Sequence, residues 1–234
     1  MLAIALFIVP FITGIISGLV RSTKVADIFQ VIGSIATLMI ALCIGNHVFN
    51  GEVISIYASL IYIDALGAFN IILISLVGCA AAIYSVGYMR YELKEKVITE
   101  SQLGKYYFFF HFFILTMLIV SAVDNLGLLW VGIELTTLVS AMLVAFYGTQ
   151  HSLEAAWKYL IMGVVGIGFA LLGIVFIYLS GLHSIGEEQS AALQWTELMR
   201  VAHTLNPKWV EIGFIFILIG FGTKAGLAPM HFWL

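Results

Sequence analysis

The chain has 234 residues, of which 62% are hydrophobic and only 10% charged, and its mean hydropathy is +1.09. No water-soluble domain could hide so much apolar surface, so composition excludes a soluble enzyme and points to an all-α polytopic membrane protein. The formal net charge of -3 says less than the placement of the charges, because lysine and arginine in short loops set topology.

Met1 to Val20 is almost wholly apolar and is followed, not preceded, by Arg21 and Lys24. A signal peptide carries its positive charge before the apolar core, so this stretch reads as a retained first span. Val25 to Phe49 makes the second span, with His47 at its interfacial end. The loop from Asn50 to Ile63 alternates apolar and small polar residues, which suits a short strand pair or an interfacial turn. Asp64 is placed to N-cap a third span running to about Met89. Arg90 then opens a charged loop that ends at Lys105.

Lys105 to Val123 is the fourth span. Asp124 and Asn125 make a tight turn into the fifth, Leu126 to Tyr147, which puts Glu134 inside the membrane. After a polar turn over Gly148 to Leu153, the sixth span occupies about Glu154 to Ser180. Lys158 stands four residues after Glu154, which favours an i,i+4 ion pair near the interface as much as a role at depth. Within the long connection from Gly181 to Lys208, the segment from Glu187 to His203 reads as one amphipathic helix, with Leu193, Leu198, Met199 and Val201 lying along the membrane surface. The glycines Gly163, Gly166, Gly168 and Gly173 recur at steps that let membrane helices approach closely.

The seventh span begins at Trp209 and meets Gly226 and Pro229 just after Lys224. Proline removes a donor and glycine loosens the backbone, so the helix is expected to unwind between Lys224 and His231 and free its last carbonyls. Irregular backbone at membrane depth is tolerated where protein covers it or a wet cavity adjoins it, so Lys224 is expected to face such a cavity. Loops one, three and five, placed inside, collect Arg21, Lys24, Arg90, Lys94, Lys96 and Lys105. This predicts an N-terminus outside.

The ionisable side chains at depth are Glu134, Lys158, Lys224 and His111. Thr137, one turn beyond Glu134, could solvate a proton path or simply pack. The six histidines show no ligand spacing, and Cys43 and Cys79 sit inside apolar runs, so no metal, cofactor or disulfide is expected. No catalytic constellation or nucleic-acid site is visible.

Three separated motifs, WVGIELTT at Trp130–Thr137, EAAWKYL at Glu154–Leu160 and KAGLAPMHFWL at Lys224–Leu234, together resemble the antiporter-like membrane subunits of respiratory complex I. That family also takes in Mrp cation/proton antiporters and the membrane arms of group-four [NiFe] hydrogenases. The runs around Glu134 and Lys158 look most like the hydrogenase F-type branch. The resemblance implies a fourteen-helix inverted-repeat fold of which this chain is the N-terminal half. Residues 1–104 would then form a three-helix segment, and 105–234 a first repeat that stops within its broken seventh helix.

It further implies that Glu134 and Lys224 gate proton transfer, with Lys158 and His231 on the path and His111 and Thr137 as accessory groups. At about 4 Å and an effective dielectric of about 20, a carboxylate would stabilise a charged amine by roughly 4 kcal/mol, so small changes in their separation could load or unload it. The implied function is proton translocation in a redox-driven respiratory or hydrogenase complex, alongside other membrane subunits and lipid. The likeness also admits a sodium/proton antiporter subunit or a structural anchor. The implied place is the bacterial or archaeal cytoplasmic membrane. Glu134, Lys158 and Lys224 are expected to share one interior.

Overall fold

A computed structural model describes residues 1–20, 22–57, 60–185, 189–231 and 233 of the chain. In order along it come α1 (Leu2–Leu19), α2 (Thr23–Phe49), the strands β1 (Ile54–Ile56) and β2 (Ile61–Ile63), α3 (Ala65–Lys94) and α4 (Glu100–Val120). Then follow α5 (Leu126–Val144), α6 (Gln150–Ile185), the short α7 (Trp195–Arg200) and α8 (Pro207–Ala225), with 3-10 turns at Gln189–Leu193 and Ala202–Thr204. Among the described residues six helices, α1 to α6, are long and apolar enough to cross a membrane. α8 is the expected seventh. Its 19 residues reach about 28 Å at 1.5 Å per residue, close to the hydrocarbon thickness of about 30 Å, but Lys208, Glu211 and Lys224 make it more charged than the others.

Local side chains set most of the helix starts. The Asp64 carboxylate accepts the Gly67 N–H at 2.7 Å, capping α3. Thr99 and Gln102 form a capping box that starts α4 five residues earlier than the apolar pattern suggests. Asn125 caps α5 through the amides of Gly127 and Leu128. Thr149 accepts the Ser152 N–H, so α6 begins at Gln150 rather than Glu154. The loop before α3 resolves as a strand pair, with Ile54 opposite Ile63 and Ile56 opposite Ile61. That hairpin is tied to the turn after α4 by the Tyr62 N–H on the Ala122 carbonyl at 2.8 Å.

α1, α2, α3 and α4 form a bundle whose core contains Leu6, Ile44, Ile71, Ile114 and Leu118. α4 also packs on α5, α5 on α6, and α6 along α8. The α6–α8 crossing is close because a Cβ at Gly173 would lie 2.7 Å from the Gly213 carbonyl oxygen. Gly168 faces open space, so it takes no part in that packing signal.

The amphipathic helix expected over Glu187 to His203 is not one helix. Glu187 itself lies outside the described residues, as do Arg21, Phe232 and Leu234. The remainder is cut into a 3-10 turn, α7 and a second 3-10 turn. The cause is Asp124, 3% exposed, whose carboxylate accepts the Thr196 N–H at 3.0 Å and the Thr196 hydroxyl at 2.6 Å, while its carbonyl accepts the Trp195 N–H. These bonds hold Gln194 extended and restart the helix at Trp195. Leu198 and Val201 turn inward onto protein; Trp195 and Met199 remain outside.

Candidate proton-transfer site

α8 ends where the sequence marks a break, by a mechanism that leaves few loose carbonyls. Gly226 adopts the left-handed conformation, φ 75°, which glycine enters without a Cβ penalty. The Leu227 N–H returns to the Gly222 carbonyl at 2.9 Å and the Gly226 N–H to the Thr223 carbonyl at 3.3 Å, a Schellman cap. The Trp233 indole N–H also donates to the Thr223 carbonyl, at 2.9 Å, so the segment beyond the break folds back over the helix end. Unwinding therefore starts at Gly226, three residues before Pro229.

Lys224 lies in the last turn of α8, where the helix dipole favours a cation. Its half-buried amine reaches between α5 and α6 beside Gly163, whose missing side chain leaves the room: a Cβ there would be 3.5 Å from Nζ. Nζ donates to the hydroxyl of Thr137, which is fully buried, and to the Tyr159 hydroxyl at 3.3 Å, and it lies 5.0 Å from the centre of the Tyr159 ring. The Ser140 hydroxyl is 2.8 Å from the Tyr159 hydroxyl. Trp233 closes the other side of Tyr159, ring centres 5.3 Å apart. An amine is thus surrounded by neutral hydroxyls and aromatic faces at the junction of three helices.

Glu134 stands one turn before Thr137 on α5. It is half-buried, and its Oε2 is shut from solvent without a hydrogen-bond partner. The expected direct contact with Lys224 is not present: among the described residues the ion pairs are His47–Glu52, Arg90–Asp27, Lys158–Glu154 and Arg200–Glu197. The amine takes Thr137 instead, because the Gly163 notch leads it to that turn of α5.

Lys158 does not join this group. It pairs with Glu154 at 2.6 Å, one turn away on an exposed face of α6, the local i,i+4 alternative. His231 is exposed beyond the break. His111 is 1% exposed but belongs to the N-terminal bundle, among α2 and α3.

That bundle holds a charged cluster for which the sequence reading made no provision. Asp27 on α2 is 3% exposed; Tyr107 donates to its Oδ1 at 2.5 Å and the Arg90 guanidinium to its Oδ2 at 2.5 Å. An acid inside an apolar run was the available signal, but its partners lie 63 and 80 residues away. A separate cavity of about 660 Å³ opens between Asn70, Asp124, Trp195 and Phe214, and Lys224 and Glu134 do not line it.

Residues 122–234 match the family described as NADH:quinone oxidoreductase/Mrp antiporter, TM. The chain is 40% identical over 176 residues to the hydrogenase-4 component F homolog of Methylacidiphilum infernorum (isolate V4), covering 75% of this chain and 37% of that one. It is 31% identical over 175 residues to Na(+)/H(+) antiporter subunit A1 of Staphylococcus aureus (strain bovine RF122 / ET3-1), covering 74% and 20%. It superimposes on a chain of the membrane-bound sulfane sulfur reductase, an archaeal respiratory membrane complex, with a TM-score of 0.81 at 25% identity, over 99% of this chain and 46% of that one. The chain therefore spans less than half the length of each of these relatives.

Proposed function

Because the chain belongs to the antiporter-like membrane-subunit family shared by NADH:quinone oxidoreductases, Mrp antiporters and hydrogenase-4, we propose that it moves protons as part of a redox-driven membrane complex, with Lys224 as the group that loads and unloads. The observation that carries this reading is the setting of Lys224. Its amine sits in the last turn of a helix that stops at Gly226, held by the Thr137 and Tyr159 hydroxyls, with no carboxylate among the described residues paired to it. A charge at depth that lacks a fixed counter-charge is expensive, and such positions mark ion paths.

Glu134 supplies the variable term. Its Oε2 has no partner in this arrangement, and closing it to about 4 Å from the amine would favour the ammonium by roughly 4 kcal/mol at an effective dielectric of about 20. When the carboxylate approaches, Lys224 takes a proton; when it withdraws, the ammonium gives one up to water. The hydroxyls of Tyr159 and Ser140 offer the relay, each accepting one proton as it passes on another. The neighbouring membrane subunits of the complex would drive the movement of Glu134. The bacterial or archaeal cytoplasmic membrane, with the N-terminus outside, fits the placement of the lysines and arginines.

The test is Glu134→Gln and Lys224→Met, made separately in the intact complex reconstituted in liposomes, with proton uptake measured against electron transfer. Both variants are expected to assemble and to lose pumping. Pumping at the parental proton-to-electron ratio would make both residues structural. The likeness to a sodium/proton antiporter subunit gives a second reading, in which parental proton movement would depend on sodium and the same variants would abolish both fluxes.

A further inference from the structure

The buried face of α2 carries Asp27, Gln30, Ser34 and Thr37, at steps of three, four and three residues that keep them on one side of the helix. All four are 6% exposed or less. Against them α4 presents Tyr107 and His111, four residues apart, and α3 presents Ser75 and Cys79, also four apart. A polar seam thus runs through a membrane bundle whose hydrophobic core is mostly aliphatic.

Several members of that seam are unpartnered. Both amide atoms of Gln30, the Ser75 hydroxyl and His111 Nε2 are buried without a hydrogen-bond partner. Buried polar groups are almost always satisfied, by protein or by ordered water, so four orphan atoms along one seam call for a resident. A cavity of about 10 Å³ lies between Ser34, Thr37, Ser75, Cys79 and His111, which admits the centre of about one water molecule. At the other end a cleft of about 330 Å³ opens beside Asp27 and Arg90, and Arg90 is itself more than half exposed.

We propose that this seam is a second, hydrated proton path, independent of Lys224, that leads from the cleft at Asp27 and Arg90 to a proton-binding site at His111. Internal water links Gln30, Ser75 and His111. Each water or hydroxyl accepts one proton and releases another, and the net step is one proton taken from the cleft and one N–H bond formed at His111 Nε2, giving an imidazolium. Of the ionisable groups along the seam, Cys79 on α3 lines the same cavity as His111, Tyr107 stands one turn before it on α4, and Asp27 on α2 with Arg90 on α3 lies beyond Tyr107. α1 brings Gly14 against it, its Cβ position 3.1 Å from that of His111, and α5, packed on the same helix, carries Glu134. Asp27 and Arg90 neutralise one another, so the entrance holds no fixed net charge that would trap the proton there.

The measurement is solid-state nitrogen NMR of histidine in the full chain, within its complex and in lipid bilayers. The His111 signal is identified by its loss in His111→Gln. It is expected to pass reversibly between neutral and protonated forms as the bulk pH is lowered, in Lys224→Met as in the parent, and to lose that exchange in Gln30→Leu and in Ser75→Ala. Cys79→Ser, which adds a better relay of similar size, is expected to keep it. A His111 that stays neutral at every pH, or that exchanges identically in Ser75→Ala and the parent, makes the seam dry packing and overturns the proposal, even if Gln30→Leu fails to assemble.

Discussion

In the N-terminal bundle Asp27 is 3% exposed and both its carboxylate oxygens are taken, one by Tyr107 and one by Arg90. Among α5, α6 and α8, Lys224 is only half-buried and its partners are neutral hydroxyls. The surroundings differ in the same sense: half of the apolar window of α4 is buried, against 17% of that of α5, so α5 is left with free faces and α4 is enclosed. Asp27 is closed by an opposite charge from α3 and a phenol from α4, so its contacts tie three helices together. Lys224 is held instead by hydroxyls that can donate or accept in turn. The Asp27 contact therefore joins helices, while the Lys224 contact is, on the proposed reading, the one whose charge is adjustable.

The largest expected effect breaks the scaffold side. Asp27→Ala leaves Arg90 and Tyr107 without their shared acceptor, and removing one member of a buried pair costs about 3 kcal/mol, the lower end of the range because Arg90 is half exposed. Thermal unfolding in detergent should show it as a clear loss of stability. Lys224→Met in the same assay should change little, because that amine has no counter-charge among the described residues to strand. The reverse order of effects would erase the distinction between the two regions.

Second comes the crossing that presents Lys224. Gly173→Leu would drive a side chain into the Gly213 backbone, 2.7 Å from its Cβ position, and overpacking of this kind costs about 1–3 kcal/mol. α8 would be pushed off α6 and Lys224 withdrawn from Thr137. Transport and stability should fall together, whereas Gly168→Leu, facing open space, should lower neither.

Third, Thr137→Val keeps the shape and removes the hydroxyl that Lys224 holds. Net hydrogen bonds are worth about 1 kcal/mol, so stability should move by no more than that, while the rate of proton uptake in liposomes falls. A variant that pumps at the parental rate would show that the amine finds its relay through Tyr159 alone.

The sequence made these regions unequally legible. Apolar runs announced the membrane helices, Asp64 its cap, and Gly226 with Pro229 the end of α8, because each of those depends on residues within a turn or two. The Glu134–Lys224 contact and the helix from Glu187 depended instead on what lies across a packing interface. Gly163 and Thr137 draw the amine to the next turn of α5, and Asp124 captures Thr196 from 72 residues away. Asp27, Gln30, Ser34 and Thr37 recur at steps of three and four inside an apolar run, a signal the sequence reading did not use. The remoteness of Arg90 and Tyr107 hid their purpose.

The smallest effect sharpens the comparison from outside both regions. Lys158 and Glu154 form a 2.6 Å pair, but their side chains are 61% and 57% exposed and stand four apart on the same helix. An exposed i,i+4 pair contributes about 0.3–0.5 kcal/mol, since water or headgroups compete for both charges and two long side chains must be ordered. Glu154→Gln should therefore leave unfolding nearly unchanged at moderate salt. Because this pair neither closes a buried charge like Asp27 nor holds an open one like Lys224, proton uptake should also stay near the parental rate. A large loss of transport without loss of stability would instead give Lys158 a transport role and extend the proposed site from the Lys224 pocket to the exposed end of α6.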